Sequence, residues 1–126
     1  MLMTLLGTWL FSGMFYQGTV MPPLNPNLQI VYQFKDDGRS RLFYQRKGEE
    51  GFCEREALFE VRENQIVQKI VWTHPNNAIW CDSDVDMQLG YFSIAPFEFR
   101  DGKFYLSVMM GEEEMFYIWD RQEVKN

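Results

Sequence analysis

The stretch Leu28-Gln29-Ile30-Val31-Tyr32-Gln33-Phe34-Lys35 decides the fold. Leu28, Ile30, Tyr32 and Phe34 fall on one side of an extended chain and Gln29, Gln33 and Lys35 on the other, the period-two pattern of a half-buried strand. Asp36-Asp37-Gly38 follows as a hairpin-type turn, with Asx and Gly supplying the backbone angles that tight turns demand. The same alternation returns with Ala57, Phe59 and Val61 against Glu56, Glu60 and Arg62, and again in Phe104, Leu106, Val108 and Met110. Working outward gives roughly eight strands, at about 5–16, 28–35, 39–47, 52–62, 65–74, 86–99, 103–110 and 114–121. Helical periodicity is weak throughout, so the expected class is all-β.

The connections arrange these strands. Asp36-Asp37-Gly38, Glu63-Asn64 and Asp101-Gly102 are short, and they alternate with longer links at Gln17 to Asn27, Gly48 to Gly51, Pro75 to Val85 and Gly111 to Glu113. In an antiparallel up-and-down meander, alternate connections lie at opposite ends, so short turns collect at one end and long loops at the other. A flat sheet with one greasy face would leave that face and two edges exposed. Closing it into an eight-stranded barrel buries the face and removes the edges.

The chain has 126 residues, 46% hydrophobic and 24% charged, which suits one domain spanning 1–126. A formal net charge of -6 leaves no cationic excess to neutralise phosphates and argues against a nucleic-acid partner. Aromatic residues at 17% rule out a disordered chain and supply a bulky core. A single histidine, His74, with two cysteines is too few for the common zinc sites. The apolar start, MLMTLLGTWLFSGMF, lacks the basic residues and cleavage site of a signal peptide and is diluted by Thr4, Gly7, Thr8, Ser12 and Gly13. It reads as structure, and no membrane span is expected. A mature exported protein, periplasmic or extracellular with its signal removed, and a cytoplasmic protein both fit.

Gly7-Thr8-Trp9 in the first strand and Arg121 at the end of the last strand fall at the short-turn end of the meander. This pattern resembles the lipocalins and the wider calycin group. The resemblance implies that Gly7 and Trp9 sit at the barrel base, with the Arg121 guanidinium packed across the indole. Such a stack contributes about 0.5–2 kcal/mol. The second motif of that family, Thr-Asp-Tyr, has no counterpart at Asp101-Gly102.

Cys53 and Cys81 both fall near the long-loop end. A bridge between them would close about 29 residues and stabilise the fold by roughly 3–4 kcal/mol, and two reduced thiols are the alternative. Asp82, Asp84 and Asp86 recur two apart, yet Met87 and Ser93 stand where a calcium loop needs glycine and glutamate, so a solvated acidic loop is expected. Glu112-Glu113-Glu114 likewise reads as a solvated turn. No nucleophile elbow accompanies His74, Ser83 or Ser93, so the expectation is a non-enzymatic protein without a cofactor.

An eight-stranded barrel is just wide enough to be filled by side chains or to hold one small ligand. The leading expectation is a binding protein for a small apolar or amphipathic molecule. Phe15, Tyr32 and Phe104 would line the walls, and Met21, Leu24, Trp72, Ile79, Trp80 and Met110 the mouth. The alternative is a protein-protein interaction module or inhibitor that uses Ile79 and Trp80 on the long loops of a packed barrel. Self-association is equally compatible with the composition.

Overall fold

The computed structural model describes residues 2–122. Helix α1 (Leu2–Leu5) leads into β1 (Gly7–Tyr16), β2 (Thr19–Met21), β3 (Leu28–Phe34), β4 (Arg39–Arg46), β5 (Cys53–Arg62), β6 (Gln65–Thr73), β7 (Phe92–Arg100), β8 (Lys103–Met110) and β9 (Glu113–Arg121). All neighbouring strands are antiparallel, and the pairing of β1 with β9 closes eight of them into a barrel. The ninth, β2, is a short strand folded against the upper half of β1. Thus the barrel read from alternation is the observed architecture.

Three boundaries differ from the sequence reading. The first strand starts at Gly7, because Leu2–Leu5 forms a helical turn beneath the barrel and buries Leu5 completely. The link from Gln17 to Asn27 contains β2. The strand placed at 86–99 begins only at Phe92, because Asp84 accepts a hydrogen bond from the Asp86 amide at 2.9 Å and starts a 3₁₀ turn over Val85–Met87.

The base is sealed by side chains from both ends of the chain. Trp9 is buried and donates its indole N–H to the Leu5 carbonyl at 2.9 Å. Trp9 also pairs with Arg121 across β1 and β9, and the Arg121 Cζ lies 4.2 Å from an indole centroid. Arg121 donates to the carbonyl of Leu6 at 2.7 Å and to that of Thr4. Gly7 has φ +126°, and a Cβ there would lie 2.8 Å from Arg121 Nη1, so the stack requires glycine for backbone angle and for space.

Inward-facing rings fill the lower barrel. Trp9, Phe34, Phe104 and Trp119 are all buried, with Phe104 centroids 5.4 Å from Trp9 and 5.8 Å from Phe34. Tilted and edge-on contacts of this kind add about 0.5–1.5 kcal/mol each beyond the area they bury. Above this floor the lacing is incomplete. Strands β7 and β8 pair only from Phe97–Arg100 to Lys103–Leu106, and β1 pairs β3 only through Gly7–Leu10.

A bulge interrupts β1, where Phe11 faces Trp119 and Gly13 faces Ile118 of β9. Ser12 is the extra residue, and its hydroxyl donates to the Ile118 carbonyl at 3.2 Å. The insertion reverses the inside-outside alternation beyond it. Gly13 also admits β2, since a Cβ at that position would lie 2.6 Å from the Met21 carbonyl oxygen.

Candidate ligand-binding site

Three polar residues share the inward parity of the barrel strands. Ser40 stands opposite Phe34 and Ala57, Arg55 opposite Leu42, and Gln68 opposite Phe59. All three are buried. Arg55 donates to Ser40 Oγ at 3.1 Å, to the Tyr32 hydroxyl at 2.9 Å and to the Asp86 carbonyl at 3.2 Å. Gln68 donates to the same tyrosine oxygen at 2.6 Å and accepts from Ser40 at 2.5 Å. A buried guanidinium is tolerated only when its donors are met, and here neutral oxygens meet them. This layer lies directly on the aromatic floor, because Tyr32 stacks on Phe34 with centroids 4.5 Å apart.

The loop between β6 and β7 folds back over this layer. Cys53, at the start of β5, is joined to Cys81 by a disulfide with a Cα–Cα distance of 5.8 Å, which realises the bridge that the sequence left open. Cys81 belongs to a 3₁₀ turn over Ile79–Ser83, and Met87 in the following turn is buried in the core cluster. Between the two turns, Asp84 accepts a hydrogen bond from the Tyr44 hydroxyl at 2.5 Å. Covalent and polar ties thus hold the loop across part of the mouth.

The remaining mouth is aromatic and acidic. Phe11 and Tyr117 pack with centroids 4.9 Å apart, while Ile30 and Tyr44 face inward from β3 and β4. All four are partly accessible and pack against the buried cluster. Trp80 lies 6.2 Å from Tyr44 and beneath the Arg46 guanidinium at 5.0 Å. Lost hydration raises the pKa of Tyr44 and Tyr117 above the ordinary phenol value, and the charges of Asp84 and Asp86 add to it. Both phenols stay protonated at neutral pH, and the Tyr44 O–H is the one donated to Asp84. Asp86 is also raised, first by lost hydration and then by Asp84, against the opposing pull of Arg55.

The residues expected to contact a ligand are not all together. Phe15 lies past the β1 bulge on the outer face, 6.2 Å from Tyr105 and beneath Arg100, and is not a wall residue. Phe104 is in the sealed floor, and the Tyr32 hydroxyl is occupied by Arg55 and Gln68. Trp72 pairs with Glu56 on the outer face and lies 5.5 Å from His74. Met21 pairs with Met14 on β2, while Leu24, Ile79 and Met110 are exposed at the long-loop end. Trp80 alone of the set stands beside Tyr44 at the mouth.

Phe11, Tyr44 and Tyr117 were missed as site residues, as was the Ser40–Arg55–Gln68 layer. Parity carried the signal: Ser40 alternates with Leu42, Arg55 with Ala57, and Gln68 with Ile66 and Ile70. Polar residues on the apolar face of three adjacent strands would have marked an internal network.

His74 is engaged locally, with Nδ1 accepting from the Asn76 amide at 3.0 Å and its ring 4.9 Å from Phe52. The Glu112–Glu114 turn gives Glu113 as acceptor for Tyr16 and Glu114 as acceptor for Ser107. Among the described residues, no three His, Cys, Asp or Glu side chains form a cluster that could hold a metal, and no helix is long and apolar enough to cross a membrane.

No protein-family model matches the chain, and no curated protein matches it by sequence. Among solved structures, it is similar to a lipocalin-like protein from Bacteroides uniformis ATCC 8492, with 16% identity and a TM-score of 0.59. The similarity covers 93% of this chain and 98% of the other. With the Trp9–Arg121 base and the closed antiparallel ring already in place, this likeness fixes the architecture: the chain has a lipocalin-like fold, an eight-stranded β-barrel closed between β1 and β9.

Proposed function

We propose that the barrel is a non-enzymatic binding protein for a small amphipathic molecule that enters from the long-loop end. The carrying observation is the gradient of access along the interior, from the buried Trp9, Phe104 and Trp119 to the partly accessible Phe11, Ile30, Tyr44 and Tyr117. The apolar part of such a ligand packs on Phe11, Ile30 and Trp80, and its polar end meets the Tyr117 hydroxyl or the Asp84 carboxylate. The lipocalin-like fold supports this reading through its form, a cup with one closed end.

Fatty-acid, retinoid-like and porphyrin-like probes test it. Saturable quenching of tryptophan emission by at least one probe is expected, with weaker binding in Tyr117→Ala. A flat response across the panel, from protein whose disulfide and circular dichroism are intact, overturns the proposal.

A second reading rests on the loop surface. Ile79 is 86% exposed and Leu89 69% exposed on the same disulfide-tied loop, beside Asp82, which suits a protein-binding anchor with a polar rim. Under the small-molecule reading, Ile79→Glu leaves probe quenching unchanged.

A further inference from the structure

The outer wall of β5, β6 and β7 differs from the rest of the barrel surface. Around the outside of β4 and β5, charges pair with one another, as in Arg41–Glu54 at 3.0 Å and, from the turn after β3, Lys35–Glu56 at 3.1 Å. Further along, the outward positions turn apolar. Leu58, Lys69 and Phe92 stand side by side in one cross-strand row, and Glu60, Val67 and Ile94 form the next. Leu58 is 48% exposed, Phe92 55% and Ile94 53%, while Val67 is largely covered by these neighbours. A depression of about 230 Å³ opens between Leu58, Val67, Lys69 and Phe92.

We infer that this wall is the face on which two copies of the chain pair around a two-fold axis. The charge pattern selects a second copy as occupant. Lys69 and Glu60 occupy opposite corners of the small square completed by Leu58 and Val67. An axis lying in the interface along the Leu58–Val67 diagonal stacks the exposed Leu58 close to its own symmetry mate, above the covered Val67. The same rotation sets each Lys69 against the partner's Glu60 twice over, a self-complementary patch of the kind an isologous dimer requires. Continuing the diagonal reaches Pro96, while Ile94 stands beside Val67 and Phe92 beside Lys69, so these two exposed apolar side chains extend the contact on the Lys69 side of the axis. Lys69 has no ion-pair partner among the described residues, and Glu60 already pairs with Arg62 on its own strand, so the partner's Lys69 completes a three-membered network. The inference is independent of the ligand proposal, since the wall faces away from the barrel interior.

Sedimentation velocity over a concentration series tests it with the disulfide-intact chain. The wild type is expected to show a reversible monomer-dimer equilibrium, and Ile94→Glu to be monomeric. Lys69→Glu and Glu60→Lys, each counted twice by symmetry, are each expected to weaken the dimer about tenfold. The double reversal E60K/K69E is expected to recover most of that loss. These positions are exposed, and unchanged circular dichroism confirms that each variant folds. A wild type that stays monomeric up to millimolar concentration overturns the inference. So does a dimer that survives Ile94→Glu, or one in which the double reversal is as weak as the sum of the single ones.

Discussion

The two ends of the barrel are closed by different physics. At the base, the buried Trp9 and Leu5 are capped by the solvent-facing Arg121, whose guanidinium lies on the indole and bonds the chain's first turn, and the turns between strands are short. At the mouth, one disulfide and a few polar contacts hold a long loop over an interior whose rings remain partly accessible. A packed seal is cooperative with the core and opens only when the barrel does. A tethered loop opens by local motion, which is what the proposed binding role requires of the mouth.

Breaking the base gives the largest expected effect. Trp9→Ala removes a buried indole, its bond to Leu5 and the surface on which Arg121 stacks, and about 3–5 kcal/mol is expected to be lost in urea denaturation. A loss under about 1 kcal/mol, within the range of ordinary surface substitutions, contradicts a keystone role. At the mouth, Cys53→Ser with Cys81→Ser frees a loop of sequence separation 28. The chain-entropy account sets that cost at about 3–4 kcal/mol, and hydrogen exchange is expected to speed up at the loop amides and not at Trp9. Uniform acceleration at both ends would erase the contrast drawn between them.

The smallest effect sharpens the comparison through pH. Asp86 is exposed at the mouth, so solvent screens much of the effect by which partial loss of hydration and the neighbouring Asp84 raise its carboxyl pKa in the folded chain, and the linked stability is small. The folded state therefore holds that proton more tightly than the unfolded chain, and the associated stability is complete below the ordinary carboxylate range and lost as pH rises through the raised value. Asp86→Asn cannot ionise, so it is expected to melt slightly above the wild type at neutral pH and equally with it in acid. A difference in melting temperature that is constant with pH removes hydration of Asp86 as its cause.

Strand alternation made most of the ring readable, since Leu28–Phe34 and Cys53–Arg62 match the expected strands within a residue. Gly7, Trp9 and Arg121 were legible through the resemblance to the lipocalins, for which the guanidinium stacked on the indole supplies the physical reason. The wall residue Phe15 was misplaced for a local reason: a one-residue bulge at Ser12 leaves no mark in hydrophobicity, yet it exchanges inside for outside. Arg55 was hidden differently. Its own strand carries no mark of burial for the charge, whereas tertiary pairing brings Ser40, Tyr32 and Gln68 to a position where a guanidinium can be buried. Register across non-neighbouring segments decides such networks, and a single strand's pattern does not contain it.

Leu2–Leu5 and Arg121 meet beneath the floor, so both ends of the described chain leave the barrel on the same side. A tag, fluorophore or solid support attached at either end would hold the protein like a stemmed glass, with its rim turned outward. Immobilised this way, the molecule keeps its mouth and its β5–β7 flank free, so the proposed ligand capture and the proposed pairing become measurable on the same sensor surface.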